Sequence, residues 1–300
     1  MSVITDWTDD KAKGFGHQAL AFRHALAERE MFSDEGLISV LDRYPRERLG
    51  VFTMGSDLTD TASWRRGAAP ADLSGRELFE LVMGGRLWLN LRDTDKHLPE
   101  FAALCAEIVA EKEARTGVKI LRPDMGLLIS SPNAQVFYHL DVPLSSLWQI
   151  RGHKTFRLYP RKAPFVSDAE IERFVTREAE GQFDFDPKWD DAATVFEMTP
   201  GAMVTWPQNA PHRVTNGPMV NVSLSMEFMT PPAVLRANVM YANSILRRRF
   251  GLSPKVQSRL SPVALAKVAL AGAVKSKRLQ EKKVYTPILK PSFSLETAKG

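Results

Sequence analysis

Residues 136–160, VFYHLDVPLSSLWQIRGHKTFRLYP, constrain the chain more than any other stretch. Val136, Phe137 and Tyr138 are β-branched or aromatic, so the segment opens as a strand. Alternate side chains of a strand share a face. Strict alternation projects His139 and Asp141 together, with Phe137 beside them. An imidazole and a carboxylate on one face are two of the three groups of a two-histidine, one-carboxylate triad. The third group is expected further along, and His212, in TWPQNAPHRVTNG, is the candidate. Such a set suits iron(II) and leaves positions open for a chelating 2-oxo acid and for dioxygen. The distal carboxylate of that acid needs a cation, and Lys154 is the candidate.

The run HLD, then QIRGHKTFRLYP, then PGAMVTWPQNAPHRV resembles the JmjC-type branch of the cupin superfamily. Members are Fe(II)- and 2-oxoglutarate-dependent oxygenases on a double-stranded β-helix, or jelly roll. Within the branch the chain is most similar to the subfamily of the asparaginyl hydroxylase that inhibits hypoxia-inducible factor. The resemblance covers about residues 120–230. It implies a mainly β fold with α: a jelly-roll core, N-terminal helices and a C-terminal helical extension. It implies metal ligation by His139, Asp141 and His212, the last flanked by Pro207 and Val214 as in the family pattern. Gln149, Gly152 and His153 match the positions before the family's lysine, so Lys154 is expected to bind the distal carboxylate of 2-oxoglutarate. Fe(II) is the implied metal, 2-oxoglutarate the co-substrate, and hydroxylation of a protein side chain or a small molecule the implied reaction.

Two positions depart from the pattern. Val136 stands where the asparaginyl hydroxylase has a threonine, three residues before its first histidine. Ser225 stands where the family has an asparagine on a late strand. Ser223 shares a face with Ser225, and both serines are candidates to complement the co-substrate carboxylates. Asp141 separates the chain from related halogenases, which lose that carboxylate. Two rival readings stay open: a non-catalytic cupin-like binding module with a basic tail, and a metal cupin enzyme that does not use 2-oxoglutarate. Val136 keeps the second alive.

The charge is unevenly spread. Residues 246–300 hold 13 Lys and Arg against 2 Asp and Glu, a balance of +11, whereas the first 245 hold 27 against 33, or −6. A basic end attracts nucleic acid, an acidic membrane surface or an acidic partner; a solvated helical face is the plainer explanation, and nucleic acid is not the expected main partner. The single cysteine, Cys105, excludes an internal disulfide, points to a reducing compartment and falls in a helical pattern as a buried small side chain. No signal-peptide pattern and no spanning apolar run is present, so a cytoplasmic protein is expected. The absence of a P-loop and of G-x-G-x-x-G gives no support to nucleotide chemistry.

Division into an oxygenase unit over 1–232, with its core at about 118–230, and a basic helical extension over 233–300 is expected. The preface carries helices over 33–43 and 74–83, capped by Ser33 and Ser74, and over 99–115. Strands are expected at 50–54, 86–91, 118–121, 125–131, 147–150, 154–159, 195–198, 202–206, 212–215 and 220–228. Hairpins are expected around Arg151-Gly152-His153 and Asn216-Gly217. Arg86, Trp88 and Asn90 read as sheet packing with the substrate mouth as the alternative, Trp148 as core packing with the pocket as the alternative, His153 as solvent-facing, and Arg213 as pointing away from His212. The polar stretch 161–195 reads as a lid, a binding edge or a plain excursion. After Pro232, helices are expected over 234–250, from Ser253-Pro254 and from Ser261-Pro262, then an extended arm, TPILKPSFSLETAKG. Similar oxygenases dimerise through such helices, so a homodimer is expected.

Overall fold

The computed structural model describes residues 2–176, 183–257, 259–280 and 291–295. The N-terminal part contains α1 (Asp9–Gly14), β1 (Leu20–Arg23), α2 (Asp34–Arg43), β2 (Gly50–Thr53), β3 (Arg65–Ala68), α3 (Gly75–Gly84), β4 (Leu87–Leu91), α4 (Thr94–His97) and α5 (Pro99–Thr116). The strand-rich part follows with β5 (Leu121–Ser130), β6 (Gln135–His139), β7 (Leu144–Arg151), β8 (Lys154–Leu158), α6 (Asp168–Val175), β9 (Thr194–Met198), β10 (Ala202–Trp206), β11 (His212–Asn216) and β12 (Asn221–Met229). The chain closes with α7 (Pro231–Phe250), α8 (Pro262–Gln280) and a two-residue strand, β13 (Phe293–Ser294).

The helix starts follow from their caps. Ser33 accepts from the Gly36 N–H, and Ser74 with Glu77 closes a capping box. Pro99 opens α5 and left-handed Gly117 ends it.

The strands form a nine-stranded sheet, β1-β10-β7-β12-β5-β4-β2-β3-β13, and a four-stranded sheet, β6-β11-β8-β9. Together they make a cupin-type jelly roll. Leu147, Val204 and Trp206 of the large sheet meet Phe156, Leu158 and Val214 of the small one between them. On its other face the large sheet packs Leu89, Leu127, Ile129, Leu224 and Trp148 against apolar side chains of α2, α3 and α5. Each such burial contributes roughly 1.5–3 kcal/mol. The alternation along these strands therefore turns apolar residues toward the helices and sends Asn90, Ser223, Ser225 and Glu227 toward the other sheet.

The two glycine turns do not close hairpins. β7 pairs with β10 and β12, and β8 with β11 and β9, so Arg151-Gly152-His153 carries the chain from one sheet to the other. Asn216-Gly217 does the same between β11 and β12. Turn residues set a local reversal, not the identity of the paired neighbour, and a jelly roll alternates sheets at these corners. Gly152 has φ +79°, and a Cβ there would lie 2.5 Å from the Val220 carbonyl oxygen. The corners touch: the Gly217 N–H donates to the His153 carbonyl at 2.7 Å.

Residues 251–257 form no helix, contrary to the expectation at Ser253-Pro254. Two prolines eight residues apart leave too little chain between them for a stable helix. Of the expected C-terminal arm, Phe293 and Ser294 pair in parallel with Gly67 and Ala68 of β3 and Leu295 is buried; 286–290 and 296–300 lie outside the described residues. Among the described residues no helix is long and apolar enough to cross a membrane.

Candidate metal centre

A β-bulge in β6 builds one wall of the site. His212 pairs with His139 and Val214 with Val136, two steps along β11 against three along β6. The extra residue breaks strict alternation, so Val136 and His139 both face the cavity between the sheets. Phe137, expected beside His139, instead packs with Met54, Ala134, Trp64 and Trp88. Tyr138 lies on the other side, its hydroxyl donating to the Phe165 carbonyl at 2.8 Å and its ring against Tyr159, Phe185 and Trp189.

His139, Asp141 and His212 converge: one ligand atom from each lies within 4.8 Å of the others. His212 Nε2 is 3.6 Å from Asp141 Oδ2, and the imidazole centroids are 4.2 Å apart. Each imidazole has its Nδ1 on a backbone carbonyl two residues upstream, His139 on Phe137 at 2.6 Å and His212 on Ala210 at 3.0 Å. Donation from Nδ1 places the lone pair on Nε2, the form that ligates a metal. Burial, helped by the neighbouring His139, pushes the His212 pKa down to about 4, so that ring is neutral at pH 7. Ser145 Oγ donates to Asp141 Oδ2 at 2.9 Å, and Asn209 Nδ2 donates to the Asp141 carbonyl at 2.9 Å. Two imidazoles with fixed tautomers and an oriented carboxylate fit a divalent first-row metal.

The triad opens on a cavity of about 240 Å³ that reaches Ser225, Trp206 and Phe156. A smaller space of about 40 Å³ continues past Leu128, Val136, Leu147 and Val214 to Lys154. Lys154 is 4% exposed, and its ammonium makes no hydrogen bond or ion pair among the described residues. Burial alone pushes its pKa down to about 7. The two serines differ. Ser225 lines the cavity opposite Gly126, where a Cβ would come within 2.7 Å of its hydroxyl. Ser223 Oγ donates to Gln149 Oε1 at 2.7 Å, and Gln149 Nε2 goes to Asn221 Oδ1 and the Arg151 carbonyl.

The cavity also takes residues that the sequence reading did not single out. Arg92, Asp124 and Glu227 line it, with Arg92 3.3 Å from Glu227 and 3.7 Å from Asp124. Burial and the charge of Asp141 push the Glu227 pKa up to about 7. Trp88 and Asn90 line it too, which is the mouth-facing alternative to plain sheet packing. The signal was in the alternation of R-L-W-L-N-L-R, and in Glu227 falling two positions after Ser225. Trp148 is buried in the main core. Arg213 pairs with Asp190 and Tyr159 on the side away from the triad. His153 is half exposed and pairs with Glu197. His24 is held by the Gln149 carbonyl and the Leu26 N–H, and His17 is exposed.

Solved structures share this fold. The ribosomal oxygenase YcfD from Escherichia coli superposes with a TM-score of 0.52 over 91% of this chain and 68% of its own, at 14% identity. The chain shares the fold of YcfD. The complex of YcfD with cobalt and 2-oxoglutarate matches at a TM-score of 0.51 over 93% and 69% of the two chains, again at 14% identity. The complex of YcfD with cobalt and succinic acid gives 0.50 over 91% and 67%. At this identity the likeness to YcfD is one of fold. No family model matches the chain, and no curated protein matches it.

Proposed function

We propose that the protein is an Fe(II)- and 2-oxoglutarate-dependent oxygenase that hydroxylates a protein side chain or a small molecule. The observation that carries the reading is Lys154, a buried ammonium without a partner, in the space that continues from the triad's cavity. Lys154 and His212 lie against positions four residues apart on β11, Asn216 and His212 itself, or roughly 13 Å along the strand. A lysine stem and a five-carbon diacid together bridge such a gap. YcfD, which shares the fold, has been solved with cobalt and 2-oxoglutarate.

In this reading His139, Asp141 and His212 hold the iron, and Lys154 takes the distal carboxylate. Ser225 donates to the co-substrate from the facing sheet. Bound iron would supply the redox chemistry by which dioxygen oxidises both 2-oxoglutarate, to succinate and carbon dioxide, and a C–H bond, to an alcohol. Leu128, Val136, Leu147 and Val214 keep water from the ammonium–carboxylate pair and so strengthen it. Asn209 and Gln208 fix the backbone at Asp141 and Val142 through their amide groups, holding the carboxylate in line with the two imidazoles.

Iron- and substrate-stimulated succinate formation is the test. Asp141→Ala is expected to reduce it to background, and robust turnover by that variant excludes the assigned site. Metal-free protein with salt-sensitive DNA binding that tracks the basic end favours the binding module instead.

The proposal takes 1–232 as the oxygenase unit and 233–300 as a helical extension through which two copies associate. Phe250, Leu252, Leu260, Val263 and Leu265 are exposed there, each more than half, and support self-association. A dimer by light scattering that dissociates in Leu260→Ser with Leu265→Ser is the expected outcome.

A further inference from the structure

Beside the loop that carries His212 lies a pair of arginines that the oxygenase chemistry does not use. Arg161 Nη1 donates to the Gln208 carbonyl at 2.7 Å. The Gln208 side chain reaches the Ala233 carbonyl in the first turn of α7 at 3.2 Å. Arg236 stands one turn further along that helix. Its Nε is buried and has no hydrogen-bond partner. Neither guanidinium forms an ion pair among the described residues, and Asp168 is the acid whose charge reaches both. Burial and then the charge of Arg161 push the Arg236 pKa down to about 10, so the two cations repel each other. The first turn of α7 holds no acidic residue to offset them.

We infer that Arg161 and Arg236 form a binding site for a phosphate group, separate from the metal cavity and joined to it through Gln208. Two guanidiniums match the charge of a phosphate monoester, which is about −1.5 to −2 near pH 7. Their forked donors suit its tetrahedral oxygens, and a buried orphan Nε–H gains an acceptor. The site anchors a phosphate-bearing substrate or ligand beside the loop that fixes His212. It does not rest on the oxygenase reading, because phosphate binding is measured without metal or turnover.

Titration of the full chain with inorganic phosphate, followed by calorimetry or phosphorus NMR, tests it. Saturable binding is expected in the wild type, weakened tenfold or more when Arg161→Gln and Arg236→Gln are combined. Arg236→Lys, which keeps the charge and packing stem, is expected to fall between them. Lys154→Met is expected to leave phosphate binding intact. Phenyl phosphate binding more tightly than the free ion identifies a group carried on a larger molecule, and the reverse identifies the ion itself; either upholds the site. Equal phosphate affinity in the wild type and the double variant, no binding by the wild type, or loss of binding in Lys154→Met alone overturns it.

Discussion

Lys112 and Lys154 are buried to a similar degree, 0% and 4% exposed, and burial is the main reason that each has a pKa pushed down to about 7. Their surroundings differ. The Lys112 ammonium donates to Ser146 Oγ at 3.1 Å and Met226 Sδ at 3.5 Å, and sits 4.5 to 5.7 Å from the rings of Phe228, Trp148 and Phe15. Aromatic faces and a hydroxyl take up its charge in place of water. Lys154 has mostly apolar walls, no hydrogen-bond partner for its ammonium among the described residues, and an opening into the cavity. One cation is completed by the fold, while the other is completed only by something that enters.

The largest expected effect separates the two directly. Lys154→Met should weaken 2-oxoglutarate binding by about 2–5 kcal/mol, or 30-fold and upward, whereas Lys112→Met should leave it within about twofold. Calorimetric titration in the presence of a redox-inert divalent metal measures both; equal affinities in the two variants break the distinction. Stability should respond to both lysines. Each has a folded pKa below its unfolded value near 10.5, so the cost of burying the charge is full below pH 7. Between pH 7 and 10.5 the unfolded chain holds more protons, and stability rises with pH by about 1.4 kcal/mol per unit for each lysine. Denaturant midpoints across that range should lose one share of the slope in either methionine variant; an unchanged slope in both would falsify the burial account. Co-substrate affinity should fall roughly tenfold per unit as pH rises above 7, because only charged Lys154 attracts the carboxylate. Lys112→Met should not alter that profile. The smallest effect divides the serines: Ser225→Ala should cost a few-fold in 2-oxoglutarate affinity, and Ser223→Ala about 1 kcal/mol of stability through its unpaired Gln149 partner.

Much of this was written in the sequence because it depends on local chemistry. Ser33 and Ser74 announce their helices, and β6 to β12 follow from alternation and breakers, whereas the two strands expected at 118–121 and 125–131 are one, Leu121–Ser130. His139, Asp141 and His212 are three ligand-type residues at strand ends, and they meet. What the sequence hid depends on pairing. The turns at 151–153 and 216–217 look like hairpins because the residues of a corner and a hairpin are the same. Arg92, Asp124 and Glu227 come from three strands, β4, β5 and β12 or their ends, whose adjacency no local pattern encodes. β1, only four residues long, lies at a sheet edge and carries little periodic signal.

The bulge in β6 has a consequence for how the site tolerates change. Because the strand carries one surplus residue between Val136 and His139, removing one there leaves two steps against two on β11 and keeps both side chains on the lumen face. Substitutions at Phe137 or Tyr138 alter packing but keep the count. The strand's length is therefore spare for the triad: a single-residue deletion here costs the packing of Phe137 or Tyr138 on the far faces and spares the direction of the imidazole.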